Sequence, residues 1–131
     1  MAWQHEKARE NLLAGIYALG NGALNAAANR LYYSLYHIAW FELENSGLRP
    51  WHFHRDATQS WRHETLRGNA SLVARHLAKS ADRRLLVTWM RLIQALQSER
   101  IKADYFPSSA SRAILERHLP LLQALVTREC A

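Results

Sequence analysis

Apolar residues recur at intervals of three and four along most of this 131-residue chain, with polar residues between them. This periodicity is typical of amphipathic helices and argues against strands, which need strict alternation. Glycine and proline are few and fall mostly between the periodic segments. The pattern therefore predicts an all-α protein, an up-and-down helical bundle of four to six helices.

Breaks in the periodicity give the expected spans. They are helices over about 3–19, 23–45, 56–67, 70–79 and 82–104, and a last helix capped by Ser108 or Ser109. The fifth span carries the clearest apolar stripe, made of Leu85, Trp89, Leu92, Ile93 and Leu96. Residues 47–56 break the pattern but are rich in aromatic side chains, which predicts an ordered loop packed on the bundle.

Length and composition place the chain in a broad class. Its length and its hydrophobic content of 49% suit a single domain, residues 1–131, with one core. No apolar run approaches the roughly 18 residues of a membrane span, and the N-terminus lacks the order of a signal peptide. Cys130 is the only cysteine, so neither a disulfide framework nor a thiolate zinc site is expected. We therefore expect a cytoplasmic protein that has no membrane partner.

The charge balance indicates what kind of partner the chain binds. There are 17 Lys and Arg against 11 Asp and Glu, a net charge of +6, and only Lys7, Lys79 and Lys102 are not arginine. An arginine-rich surface favours a polyanionic partner, nucleic acid first, because guanidinium binds phosphate oxygens in a two-pronged way. Solubility and ordinary salt bridges are the alternative interpretation.

The second predicted helix has two chemically different sides when it is drawn at 100° per residue. Its aliphatic side consists of Leu24, Ala28, Leu31, Leu35, Ile38 and Ala39. Its other side mixes polar groups with rings, and consists of Ala26, Arg30, Tyr33, Ser34, His37, Phe41 and Glu44. A helix that is apolar over most of its circumference should be buried on two sides. The following loop or a second subunit would cover the second side, and we expect a homodimer.

Two segments resemble a known family. Residues 26–37, AAANRLYYSLYH, resemble the A-x-x-R-x-Y-Y-A-x-(F/Y)-H helix of HEPN-domain proteins, and residues 99–105, ERIKADY, resemble their R-x-x-A-D-Y helix end. The order and spacing of the two segments agree as well, so the resemblance covers roughly residues 5–127. It implies a HEPN-like bundle, usually dimeric, of the kind found in toxin–antitoxin and defence systems beside a small nucleotidyltransferase-fold partner.

The resemblance also implies a chemistry, because many HEPN proteins are metal-independent endoribonucleases. Their catalytic motif is an arginine followed, after four to six residues, by a histidine, and Arg30 and His37 fit it. Histidine can accept the proton of an RNA 2′-hydroxyl near neutral pH, and arginine can hold the scissile phosphate. Asn29 and Tyr33 would assist. The second segment contributes the supporting residues Arg100, Asp104 and Tyr105.

Structural interpretations of the same residues stay open. Arg30 could form an inward-facing ion pair with Asp104, or Arg100 could pair with Asp104 locally, four residues apart. His37 could be a packed core or interface histidine. The arginine-to-histidine spacing also recurs from Arg49 to His54 and from Arg112 to His118, away from the helix that resembles the family.

His52, His54 and His63 could supply three nitrogen ligands of a metal site, but no carboxylate or cysteine is placed to complete it, so neither a metal nor another cofactor is expected. Three functions remain. The first is an endoribonuclease toxin acting on RNA. The second is a non-catalytic module that binds a nucleotide or a nucleotidyltransferase-fold partner, and the third is a small adaptor in which the motif only stabilises the fold.

Overall fold

A computed structural model describes residues 3–48, 70–78 and 83–130. Within these ranges the chain is helical and contains no strand. The five helices are α1 (Trp3–Gly20), α2 (Leu24–Asn45), α3 (Ala70–Ala78), α4 (Arg83–Tyr105) and α5 (Arg112–Glu129). The all-α prediction is confirmed. The predicted aromatic loop beyond residue 48 and the predicted short helix from Asp56 lie outside the described residues.

A tight turn joins α1 to α2 and makes them a helical hairpin. The N–H of Asn21 donates to Tyr17 O at 3.1 Å and that of Gly22 to Leu19 O at 3.1 Å, which closes the last turn of α1. Gly22 has φ of +74°, a left-handed conformation that glycine adopts without a steric penalty. The two helices therefore run antiparallel and side by side.

The core forms around α2, which contacts each of the other four described helices. Most residues of the predicted stripes are inside it, while Leu24 and Leu85 are partly buried at its edge. The largest fully buried side chains are Trp89, Tyr32, Leu31, Leu35, Ile38, Leu43, Leu77, Leu92, Ile93, Leu96, Leu115 and Leu122. Each aliphatic side chain removed from water in this way contributes about 1.5–3 kcal/mol before the cost of ordering the chain. None of the described helices has the length and apolar character needed to span a bilayer.

The second side of α2 is covered in a way that the sequence did not suggest. Ser34 is fully buried and its hydroxyl donates to Ala8 O of α1 at 2.7 Å. The rings of His5 and Phe41 lie 4.1 Å apart across the same pair of helices. Because α1 supplies this cover, the apolar circumference of α2 does not by itself require a second subunit.

The start of α5 corrects another expectation. The cap is Ser111, whose hydroxyl accepts the N–H of Ile114 at 3.3 Å, and neither Ser108 nor Ser109 takes that role. Residues 106–111 are not helical, and Ala110 is buried within this link. The helix therefore begins directly after this buried link.

Two side chains hold that link in place. Asn25 of α2 accepts the N–H of Ala110 at 2.9 Å. Glu99 of α4 is 1% exposed, and its carboxylate accepts the N–H of Ser111 while pairing with Lys102 at 3.0 Å. A carboxylate at a helix N-terminus is favourable because it satisfies an orphan N–H and opposes the helix dipole.

Candidate functional site on helix α2

The α1–α2 hairpin positions the side of α2 that carries the arginine and the histidine. Residues 30, 34 and 37 follow one another at helical spacing and so share a face. At the middle of the hairpin the backbones approach closely, since a Cβ built on Gly15 would lie 2.6 Å from Leu31 Cδ2. Arg30 and His37 therefore project from a tightly packed pair of helices.

Arg30 is exposed and has an uncharged partner. Its Nη1 donates to Asn11 Oδ1 of α1 at 3.3 Å, and Asn11 in turn donates to Lys7 O at 2.8 Å. No carboxylate pairs with Arg30 within the part of the chain that the structure describes. A guanidinium that only an amide contacts keeps its charge and most of its donors for a ligand.

The inward-facing ion pair between Arg30 and Asp104 is therefore wrong, and the local pair is the one that forms. Asp104 Oδ2 lies 3.5 Å from Arg100 Nε, and Asp104 Oδ1 accepts a hydrogen bond from Asn29 Nδ2 at 3.0 Å. The physical reason is placement, because Arg30 contacts α1 whereas its neighbour Asn29 contacts the end of α4.

Arg100 joins the two segments that resemble the HEPN motifs. Its guanidinium carbon lies 5.1 Å from the ring centre of Tyr32 and 5.9 Å from that of Tyr33. Such cation–π contacts contribute about 0.5–2 kcal/mol each, more where the cation is shielded from water. Together with the ion pair and the hydrogen bond of Asp104, these contacts hold the end of α4 against the first half of α2. Tyr105, by contrast, is 73% exposed where α4 ends.

His37 belongs to an aromatic cluster formed by Trp3, Tyr36, His37 and Trp40. Its ring is stacked on Trp40 at 6.3 Å between centres, and meets Trp3 edge-on at 5.9 Å and Tyr36 at 5.4 Å. Trp40 is itself fixed by a hydrogen bond from Nε1 to Glu44 Oε1 at 2.7 Å. The imidazole is half-buried and is held by rings on several sides.

The pKa values around the cluster favour neutral side chains. Burial, with a smaller effect from Tyr33, raises the pKa of Tyr36 to about 12, so its hydroxyl keeps its proton at neutral pH. Burial lowers the pKa of His5, and nearby Arg9 lowers it further, so His5 is mainly uncharged at pH 7.

Arg30 and His37 share a face without touching. They are seven residues apart, which corresponds to about 10.5 Å along the helix axis. No hydrogen bond or ring contact joins them. Tyr33, between them in sequence, is half-buried and directed to Arg100 rather than to Arg30. A ligand that reached both groups in one chain would have to extend along α2.

Two residues of the site were not identified from the sequence. Asn11, the partner of Arg30, could have been found by folding the chain at the Gly22 turn, since that turn brings the middle of α1 beside the first half of α2. Trp3, the first residue of α1, meets His37 edge-on for the same reason. In the described residues, no three His, Cys, Asp or Glu side chains are grouped to hold a metal, and the histidines at 52, 54 and 63 lie outside these residues.

Comparisons with known proteins found no family model, no curated protein and no solved structure that matches this chain.

Proposed function

We propose that this chain is a HEPN-like, metal-independent endoribonuclease in which Arg30 binds the scissile phosphate and His37 is the acid and base. The observation that carries the proposal is the state of Arg30, exposed on the motif helix with an amide as its only partner among the residues that the structure describes. A structural arginine would be expected to pair with a carboxylate, as Arg100 does with Asp104.

The reaction needs only these two kinds of group. His37 takes the proton of the 2′-hydroxyl, the 2′-oxygen attacks the adjacent phosphorus, and the bond to the 5′-oxygen breaks with return of a proton. The products are a 2′,3′-cyclic phosphate and a 5′-hydroxyl. Arg30 offsets the charge that builds on the phosphate oxygens. Asn29 and Tyr33 support α2 from the α4 side, through Asp104 and Arg100 respectively.

The distance between Arg30 and His37 suggests how the site is completed. About 10.5 Å along one helix is long for two groups that act on one phosphate. In a homodimer with the two α2 helices facing one another, the Arg30 of one chain could approach the His37 of the other. We therefore propose a cytoplasmic homodimer whose toxic activity is inhibited by a nucleotidyltransferase-fold antitoxin.

A second candidate is a non-catalytic module that binds a nucleotide or a nucleotidyltransferase-fold partner through the same surface. The packing of His37 favours it, because a half-buried imidazole among three aromatic rings is typical of a structural histidine. Arg30 would then contact a phosphate or a carboxylate of the partner without any chemistry following.

Incubation of a mixed RNA pool with the purified protein in EDTA separates the two candidates. The nuclease predicts cleavage by the wild type, loss of cleavage in His37→Ala, and normal cleavage in His76→Ala, which removes an exposed histidine of α3. RNA methylated at every 2′-oxygen should remain intact because its nucleophile is blocked. Absence of cleavage by the wild type would reject the nuclease in favour of the binding module.

A further inference from the structure

A second basic surface lies on helices that the nuclease proposal does not use. A groove of about 350 Å³ runs between α4 and α5, and its rim carries Arg91 from α4 and Arg117 and His118 from α5. Both arginines are exposed, and neither has an ion pair or a hydrogen bond in the described structure. The two guanidinium groups therefore converge on one depression without compensating charge.

The acidic groups near this groove are already engaged. Glu99 lies at its floor, almost fully buried, and its carboxylate binds Lys102 and the N–H of Ser111. Glu116, directly before Arg117 in α5, pairs with Arg112 at 3.2 Å. An anion entering the groove would thus meet two unpaired arginines rather than a repelling carboxylate.

His118 adds a directed polar group. Its Nδ1 lies 2.8 Å from Ile114 O, so that nitrogen carries the proton and donates to the backbone carbonyl. In the neutral imidazole the other ring nitrogen, Nε2, is an acceptor, which suits a sugar hydroxyl or a base amino group of a ligand in the groove. The remaining lining, Gln94, Ala95, Ser98 and Ile114, is uncharged.

The basic character continues along the same boundary. A second groove of about 310 Å³ follows one turn further on between α4 and α5, and it is lined by Arg84 and Thr88 from α4 and by Arg128 from α5, among others. Arg128 also forms a long ion pair with Glu129, at 3.9 Å, and its side chain is 61% exposed. Arg117 and Arg128 are eleven residues apart, or about 16 Å along α5. At about 3.4 Å per nucleotide of a strand, that length corresponds to about five nucleotides.

We propose that the α4–α5 groove binds the phosphodiester backbone of a nucleic-acid strand, with Arg91 and Arg117 as the central phosphate contacts. A row of positive charges spaced along a groove fits a polymer with a regular negative charge better than it fits a single small anion. This surface goes beyond the proposed catalytic role of Arg30 and His37, and strand binding does not depend on that role.

The test is binding of two fluorescent 20-nucleotide strands of one sequence, a 2′-O-methyl RNA and a DNA, measured by anisotropy over a salt series. The variant Arg91→Gln/Arg117→Gln should bind about tenfold more weakly than the wild type. The slope of log affinity against log salt should fall by about 1.4, which is two single-strand phosphate contacts. Equal binding of both strands indicates backbone recognition, and binding of the RNA strand alone identifies the strand as RNA.

Lys7→Gln/Arg75→Gln is the matched control, because both residues are exposed on other helices and the net charge falls equally. Equal weakening in the two double variants would overturn the proposal, since total charge alone would then explain it. Failure of the wild type to bind either strand at low salt, or preference for an acidic polypeptide over both, would also overturn it. Neither strand has a free 2′-hydroxyl, so strand binding is measured apart from cleavage, and this proposal and the nuclease fail separately.

Discussion

Replacement of Gly15 by alanine tests the close packing of α1 on α2 that positions the candidate site. The added Cβ would lie 2.6 Å from Leu31 Cδ2 and 2.8 Å from Leu31 Cγ, whereas carbon atoms pack best at about 3.5–4.0 Å. Leu31 is fully buried and its own backbone N would be only 3.3 Å from the new Cβ. The leucine therefore has little room to move away.

Two opposing effects determine how much Gly15→Ala changes the free energy of unfolding. Overpacking of a core costs about 1–3 kcal/mol, while alanine gains about 1 kcal/mol over glycine inside a helix. Gly20→Ala is the matched control, because it lies at the end of the same helix and a Cβ there would meet nothing within 4 Å. We expect Gly15→Ala to be less stable than Gly20→Ala by about 1–3 kcal/mol.

Urea unfolding followed by circular dichroism measures both free energies of unfolding, and a double mutant locates the cause. Combined with Leu31→Ala, the Gly15→Ala change should lose its penalty, because the methyl group then enters space that leucine has vacated. If Gly15→Ala were as stable as Gly20→Ala, the close approach of α1 and α2 would be refuted.

Three further perturbations address single interactions. Asp104→Ala should lower the free energy of unfolding by only about 1 kcal/mol, since it removes a partly exposed ion pair and one hydrogen bond from Asn29. Ser34→Ala should cost about 1 kcal/mol through loss of the buried bond to Ala8 O, as measured by urea unfolding. For His5, the lowered pKa means that the folded state binds fewer protons than the unfolded state, so stability should be complete above pH 6.5 and decline below it. His5→Gln should reduce that decline in melts recorded between pH 7.5 and 5.5.

For each of these three expectations, one result would contradict it. A loss of several kcal/mol in Asp104→Ala would indicate a buried ion pair, contrary to the exposure of that carboxylate. An unchanged or raised stability in Ser34→Ala would show that the hydroxyl adds nothing to the hairpin. An identical pH dependence in His5→Gln and the wild type would remove His5 as a source of acid sensitivity.

The helices were predictable because their apolar period is strong and their ends carry glycine or serine signals. The cap of α5 was not, since serine at 108, 109 or 111 suits the role equally in sequence. The choice depends on Asn25 and Glu99, which bind the preceding link from two distant helices. Local sequence cannot report such contacts.

The candidate site, like the fold, was predictable from the sequence only in part. Helical spacing alone placed Arg30 and His37 on one face, and the spacing of Arg100 and Asp104 allowed their local pair. The partners of Arg30 and His37 depend on how α1 lies against α2, which follows from the turn at Gly22 and the close approach at Gly15. The periodicity within one helix holds no information about that arrangement.

The most direct measurement of the central claim is the rate at which one 5′-labelled RNA is cleaved in EDTA by the wild type, Arg30→Gln and His37→Ala, with Arg75→Gln as a control for loss of one exposed charge. The proposal predicts a loss of about 10²-fold or more for each of the first two variants, an unchanged rate for the control, and products that end in a cyclic phosphate. No cleavage by the wild type, or equal rates for the wild type and His37→Ala, would contradict it.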